Sequence, residues 1–286
     1  MDRRLRVALV VVAVILLVAA GAVGFALYQF TRPVPESYTH TAEYRAYVQP
    51  DATLTNVTLY LPLPVENGSS PAGDALVAGS PGVVDAPPGW SFAVEDTAYG
   101  PMLALSFPTL EPNYRERPPP RTVDPAPGGT TAAPGTGTPT LAPGRTPIRT
   151  LDYYLVGVRL AFAEPIDTRT PADSEPVLRP RLNATDVRCD ELSGEDAVCR
   201  RFGTRMYLSY EAPENATVDV LVTYEGYNEW FAGGWTGNSF RQSTRVVATG
   251  DGPGWVAVEG EETTGVGTYR GAPNAVVDAG AVAVAR

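Results

Sequence analysis

An uninterrupted apolar run near the N-terminus limits what this chain can fold into more than any other feature. The run, Val7 to Thr31, reads VALVVVAVILLVAAGAVGFALYQFT, and no charged residue lies between Arg6 and Arg32. As an α-helix it would extend roughly 37 Å, against about 30 Å for the hydrocarbon core of a bilayer. The sequence therefore predicts a transmembrane helix over residues 7–31, through which the protein contacts the lipid bilayer.

A cleaved secretory signal is the alternative interpretation of this run. The apolar part of a signal peptide is usually only ~7 to 15 residues long. Tyr28 and Phe30 end the run, and aromatic residues there are typical of the headgroup level of a membrane. Small residues such as Ala20 and Ala22 nevertheless offer a cleavage site. We interpret the run as a membrane anchor, and the question of cleavage stays open.

Arginines flank the run unequally, and this asymmetry predicts its orientation. Three arginines precede it within residues 1–6, whereas Arg32 on the other side is soon followed by Glu36. Basic residues stay on the cytoplasmic side of a membrane. We therefore expect residues 1–6 to be a cytoplasmic stub, residues 32–37 to be a spacer, and everything beyond to lie outside the cell.

The charge of the outer part excludes two classes of partner. The chain has 32 acidic and 22 basic residues, a net charge of -10. Without Asp2 and the four arginines up to Arg32, the outer part keeps 31 acidic and 18 basic residues, a net charge of -13. Because such a surface repels nucleic acid and anionic lipid, we expect neither as a partner.

The composition also carries a resemblance. Every basic residue is arginine and none is lysine, and the segment from Asn56 to Pro64 reads NVTLYLPLP. Together these features resemble uncharacterised membrane-anchored proteins of haloarchaea. The resemblance covers the outer part loosely; it implies a surface location and a salt-rich habitat, and it implies no activity.

Two covalent modifications are predicted for the outer part. Acceptor triplets for N-glycosylation occur beyond the membrane run at Asn56, Asn67, Asn183 and Asn215. All four triplets lie on the side of the run that is predicted to be outside the cell, which favours surface glycosylation.

Cys189 and Cys199 are the only cysteines, and an outside location favours a disulfide between them. The disulfide would stabilise the fold by roughly 3 kcal/mol for so small a loop. A metal site with these two thiolates is the alternative, and it lacks further ligands nearby.

Alternation of apolar and polar residues predicts β-strands throughout the outer part. The predicted strands fall in the segments 38–49, 57–63, 90–97, 102–107, 151–162, 205–210, 217–224, 243–249 and 254–259. No long helical period and no internal repeat accompany them. The predicted fold is therefore all-β, an extracellular β-sandwich that is immunoglobulin-like in the broad sense, although the Cys, Trp and Cys arrangement of that family is absent.

One segment differs in composition from the rest. Residues 117–147 are dominated by Pro, Gly and Thr and cannot bury enough apolar surface to offset the entropy of ordering. We predict a disordered insertion into one sandwich domain formed by residues 38–116 and 148–262; a linker between two domains is the alternative. Residues 263–286 are predicted to be a C-terminal tail or a last strand.

The segment YEGYNEWFAGGWTGNSF, which begins at Tyr224, is the candidate for ligand binding. Aromatic rings stack on sugar faces while neighbouring polar groups bind hydroxyls. The candidate residues are Tyr224, Tyr227, Asn228, Glu229, Trp230 and Trp235. The alternative is that the same rings close one end of the sandwich, with Gly233 and Gly234 in the turn.

The sequence contains no catalytic motif. His40 is the only histidine, so a catalytic triad or a histidine-based zinc site is not supported. Glu225 or Glu229 acting on glycans is kept as a minor alternative, and the acidic loop between the cysteines lacks the pattern of a calcium loop. We therefore expect no catalytic residue, metal or cofactor, and an interaction or structural module with a surface protein or glycan as partner.

Overall fold

The computed structural model describes residues 3–79, 83–84, 89–117, 148–194, 196–269 and 272. Within these residues the chain is mostly β-strand, and a long apolar helix lies at its N-terminus. The predictions of a β-rich outer part and of an N-terminal apolar helix are confirmed.

The helices and strands follow one another in this order. The α-helices are α1 (Arg3–Thr31), α2 (Pro71–Val77) and α3 (Pro171–Ser174), and short 3₁₀ turns cover Pro35–Ser37 and Glu191–Ser193. The strands are β1 (Thr39–Pro50), β2 (Leu54–Val65), β3 (Val83–Val84), β4 (Ser91–Thr97), β5 (Gly100–Leu110), β6 (Asn113–Arg117), β7 (Ile148–Asp152), β8 (Tyr154–Phe162), β9 (Val177–Arg179), β10 (Leu182–Val187), β11 (Val198–Glu211), β12 (Thr217–Phe231), β13 (Trp235–Thr249) and β14 (Gly254–Gly267).

Twelve of the described strands form one antiparallel sheet. Its order is β3-β8-β1-β12-β13-β14-β11-β2-β5-β4, with β10 paired to β11 and β9 paired to β2. Strands β6 and β7 form a separate two-stranded ribbon. Long hairpins build the centre of the sheet, and in β12 and β13 the pairing continues from Thr217 opposite Thr249 to Phe231 opposite Trp235.

The sheet curls until distant strands meet across its concave face. Strands β1 and β2 are five positions apart in the strand order, yet the Tyr44 hydroxyl on β1 donates a 3.1 Å hydrogen bond to the carbonyl of Pro62 on β2. The regular twist between neighbouring strands accumulates over a sheet of this width and produces such a curl. The concave face therefore encloses the main hydrophobic core.

Period-two alternation decides which side chains enter that core. In β12, Val218, Val220, Val222 and Tyr224 are at most 2% exposed, as their alternation in the sequence predicts. A slip of one residue in the pairing would move this whole set to solvent. The register of the sheet is therefore fixed by burial of one face.

The predicted insertion, residues 117–147, lies outside the described residues except for Arg117. The strands at its two ends pair with each other, and Arg117 on β6 lies opposite Ile148 on β7. Strands from both sides of it share the main sheet, since β1 pairs with β8 and β12. Of the predicted tail, residues 263–267 continue β14, and residues 270–271 and 273–286 lie outside the described residues.

Helix α1 is exposed along most of its described length and contacts the sheet near its C-terminal end, where Phe30 meets Phe231. From Val12 to Thr31 its side chains are exposed, except for the half-buried Gln29. Among the described residues it is the one helix long and apolar enough to cross a membrane. Continuous apolar surface of this extent marks an interaction surface or a membrane contact.

The spacer ties this helix to the sheet. The backbone N–H of Val34 donates to the carbonyl of Phe231 at 2.9 Å, and the N–H of Phe231 donates to the Ser37 hydroxyl at 2.8 Å. These bonds fix the end of β12 beside the end of α1.

Candidate functional site

The predicted ligand-binding segment forms the hairpin of β12 and β13, which turns at residues 232–234. Three of the six candidate side chains are interior and at most 2% exposed: Tyr224, Asn228 and Trp230. The other three lie on the opposite face: Tyr227, which is half-buried, Glu229, which is exposed, and Trp235, which is 69% exposed. Because a strand alternates its side chains between two faces, the six side chains are divided between the interior and the outer face, and ligand binding by this segment stays a prediction.

Asn228 is the centre of a buried polar network. Its side-chain amide donates to the Ile166 carbonyl and to Asn238 Oδ1, both at 2.8 Å. Its Oδ1 accepts from the Ile166 N–H at 2.9 Å and lies 2.8 Å from His40 Nδ1. The hydrogen-bonding capacity of Asn228 is thus used inside the protein, where it holds the loop after β8 against β12. Asn228 therefore has a structural role, as has the 8% exposed His40.

Glu225 and Glu229, the minor alternative for glycan hydrolysis, lie on the outer face of β12. They lie four residues apart on one face of β12, so their Cα atoms are about 13 Å apart. Glu225 also has a cation beside it, since Arg241 Nε lies 3.2 Å from its carboxylate. Glu225 therefore takes part in an ion pair on this face, and catalysis by Glu225 or Glu229 stays an untested alternative.

A different group of aromatic residues forms a surface, which we call the outer aromatic patch: Tyr60, Tyr99, Tyr207 and Trp255. Tyr60, Tyr207 and Trp255 lie directly opposite one another on β2, β11 and β14. The ring centroids of Tyr60 and Tyr207 are 5.1 Å apart, and those of Tyr207 and Trp255 are 5.3 Å apart. Tyr99, from the turn between β4 and β5, packs edge-on against Trp255 at 4.8 Å. Cross-strand aromatic pairs of this kind stabilise a sheet, and Tyr99 and Trp255 still expose 38% of their surface.

Arg205 borders the outer aromatic patch. Its guanidinium lies over the Tyr99 ring at 5.8 Å, and its register partner on β14 is Ala257, which carries no charge. Its buried Nε has no hydrogen-bond partner among the described residues. A guanidinium within about 6 Å of a ring centroid is attracted to the ring face, so Arg205 helps to hold Tyr99 in the patch.

A cleft of about 570 Å³ adjoins the patch. Tyr99 lines both, and the other polar lining includes Glu66, Asp173, Glu175 and Arg179. Burial raises the pKa of Glu175 to about 7, although the Asp167 N–H donates a 2.7 Å hydrogen bond to its carboxylate and acts in the opposite direction. Near neutral pH, Glu175 is therefore partly protonated, and the cleft carries less negative charge than its carboxyl groups suggest.

The predicted glycosylation sites are all at the surface. The exposed acceptors are Asn56, Asn67, Asn183 and Asn215. Among the described residues, the non-glycine residues with positive φ are three of these four: Asn56, Asn67 and Asn183. Asparagine tolerates this left-handed conformation better than most residues, and the side chain then projects from an irregular point of the strand or turn.

The two cysteines form the predicted disulfide, with their Cα atoms 5.2 Å apart. The bond closes the loop between β10 and β11. Within the described residues, no group of three His, Cys, Asp or Glu side chains is placed to hold a metal ion; Glu195 of the acidic loop lies outside those residues.

The sequence contained a signal for the outer aromatic patch. Tyr60 and Tyr207 occupy the polar face of alternating strands, between core residues such as Leu59 and Leu208. A large ring on such a face indicates either cross-strand packing or a surface contact. Alternation could not predict which strands are neighbours in the sheet. It therefore could not predict that rings from three separate strands lie side by side.

Comparison with known proteins adds no assignment to this geometry. No protein-family model, curated protein or solved structure matches the chain.

Proposed function

We propose that this protein is a single-pass membrane protein of the cell surface, with its N-terminus in the cytoplasm and an acidic, glycosylated β-domain outside. The domain would act as an interaction or structural module and not as an enzyme. The exposed apolar helix α1, which runs directly into the sheet through residues 32–37, carries the proposal. The curl of the sheet around one core also favours a β-sandwich, immunoglobulin-like in the broad sense.

Cell-free translation with endoplasmic-reticulum microsomes tests the location. We expect the chain to resist alkaline carbonate extraction, because α1 stays in the bilayer. We expect the outer domain to be protected from added protease and to gain mass that an endoglycosidase removes, because its exposed acceptors reach the lumen.

The matched control removes the acceptors and keeps the anchor. A variant with Asn56→Gln, Asn67→Gln, Asn183→Gln and Asn215→Gln should lose the mass shift and remain carbonate-resistant. A full-length chain that carbonate extracts, unmodified and open to protease, would contradict the proposal. A shortened chain that carbonate extracts would instead identify a cleaved signal.

A second candidate function is the binding of a neutral glycan, and the outer aromatic patch favours it. The exposed faces of Tyr99 and Trp255 suit stacking on sugar rings, and the Arg205 guanidinium lies over the Tyr99 ring. Stacking of this kind needs little charge, and an anionic polymer would be repelled by the acidic domain. In this second candidate function the glycan binds at the outer aromatic patch, and not at the hairpin of β12 and β13.

Affinity gel electrophoresis of the full chain in detergent tests this second function. Mannan or dextran in the gel should slow the protein, and polygalacturonate should not. We expect Trp255→Ala to lose most of the retardation, and Trp235→Ala, which removes an exposed tryptophan elsewhere, to keep it. Equal retardation of the two variants, or no retardation of the unmodified chain by either neutral polymer, would rule out glycan binding at the patch.

A further inference from the structure

The turn between β12 and β13 lies against the end of α1. The Phe30 ring meets the Phe231 ring edge-on at 6.4 Å, and Phe231 meets Trp235 in the same way at 6.1 Å. Gly233 in the turn has a φ of +77°, and a Cβ added there would lie 3.2 Å from the Phe30 ring. Glycine thus permits both the tight turn and the close approach to the helix.

This contact places the hairpin tip, residues 231–235, at the level where the helix leaves the membrane. Counted from Val7, the ~20 residues that cross a hydrocarbon core of about 30 Å end near Ala26. Tyr28 and Phe30 then lie in the headgroup layer. Phe231 and Trp235 join the same layer, because they contact Phe30 directly or through one ring.

The chemistry of the tip suits that layer. Trp235 is 69% exposed and Phe30 is 60% exposed, so their rings face the surroundings and not the core. No charged residue lies between Glu229 and Arg241, so no charge has to leave water when the rings approach the hydrocarbon edge of the headgroup layer. Tryptophan is enriched at membrane interfaces because its ring is apolar and its N–H is polar.

We propose that the hairpin tip is a second membrane contact, which inserts Trp235 into the headgroup layer of the outer leaflet beside α1. The inference rests on the proposed membrane anchoring, and it names the lipid interface as the partner of this surface. Two contacts, the helix and the hairpin, restrict how the domain can tilt on the membrane. The outer aromatic patch is then held away from the lipid, because Trp255 is about 40 Å along β14 from Gly267, which pairs with Asn238 near the hairpin.

Quenching of tryptophan fluorescence by brominated lipid tests the contact. The full chain is reconstituted into phosphatidylcholine vesicles, either ordinary or brominated near the headgroup end of the acyl chains. We expect brominated lipid to quench part of the emission and Trp235→Phe to lose most of that quenching. Trp255→Phe is the matched control and should keep it, because Trp255 belongs to the outer aromatic patch.

Flotation of the same vesicles separates the two proposals. A chain that floats with the vesicles but is quenched equally with and without Trp235 overturns the membrane contact of the hairpin and leaves the anchor intact. A floating chain that brominated lipid does not quench overturns the same contact, and this is the result expected if a second copy or another protein covers Trp235. A chain that does not float overturns the anchoring itself.

Discussion

Replacing Arg181 with Met is expected to lower the free energy of unfolding by about 3 kcal/mol, because the buried carboxylate of Glu262 then keeps only Arg200, whose Nη1 lies 3.6 Å away, as its cation. The Glu262 side chain is fully buried and that of Arg181 is 8% exposed. The guanidinium donates two hydrogen bonds to the carboxylate, at 2.7 and 2.8 Å. Gln242 donates a third at 2.7 Å. Methionine keeps the apolar part of the contact with Phe202, so the loss is mainly electrostatic.

The ion pair of Arg181 and Glu262 makes the free energy of unfolding depend on pH, and the direction of this dependence follows from the pKa of Glu262. Burial alone would raise the pKa of Glu262, but hydrogen bonds from Arg181 and Gln242 and the charges of Arg181 and Arg200 hold that pKa below its ordinary value. A carboxyl group with a lowered pKa stabilises the fold above its ordinary pKa, and this contribution is lost as the pH falls through the folded value. The difference between the Arg181→Met variant and the unmodified protein should therefore narrow in acid.

Urea unfolding of the full chain in detergent, followed by tryptophan fluorescence, measures the effect. Arg201→Met is the matched control on the neighbouring strands. Arg201 Nε lies 3.2 Å from Glu259, and both side chains are more than half exposed, so its loss should cost less than about 1 kcal/mol. Equal losses in the two variants would mean that the Glu262 carboxylate finds another partner.

The second large effect is expected at Trp230, where replacement by Ala should cost about 3–5 kcal/mol. Trp230 is 0% exposed and packs against Tyr38, Ala232, Tyr269 and Ala272. Truncation would remove the largest fully buried side chain and leave a cavity. The paired strands around this cavity are not free to move inward and fill it. Trp235→Ala should change stability by less than about 0.5 kcal/mol in detergent, because that ring touches little of the fold.

Thermal or urea unfolding of the two variants under identical conditions checks this prediction. Trp230→Phe serves as a further control, because it keeps an aromatic ring in the cavity and should recover part of the loss. If Trp235→Ala destabilised the protein as much as Trp230→Ala, the assignment of one tryptophan to the interior and the other to the surface would be wrong.

Local chemistry made several features of this protein predictable. A continuous apolar run specifies a long helix without a polar face, and α1 matches it. Alternation specifies the two faces of a strand, and the buried Val218 and Val220 of β12 follow it. Cys189 and Cys199 are close in the sequence and can pair only with each other within the chain, and they form a disulfide. Each of these properties depends on residues close together in the chain.

The role of each face was decided only by tertiary structure. Alternation continued from Tyr224 puts Asn228 on the interior face, but the sequence could not tell that Asn228 would bind the loop at Ile166, 62 residues away. Nor could it tell that Arg181 would meet Glu262 across 81 residues of chain. Alternation gives the period of a strand, but the neighbours of a strand depend on the order and register of the whole sheet. The order and register of the strands are set when the curled sheet closes around one hydrophobic core. Residues from the whole outer part form that core, so no short segment determines it.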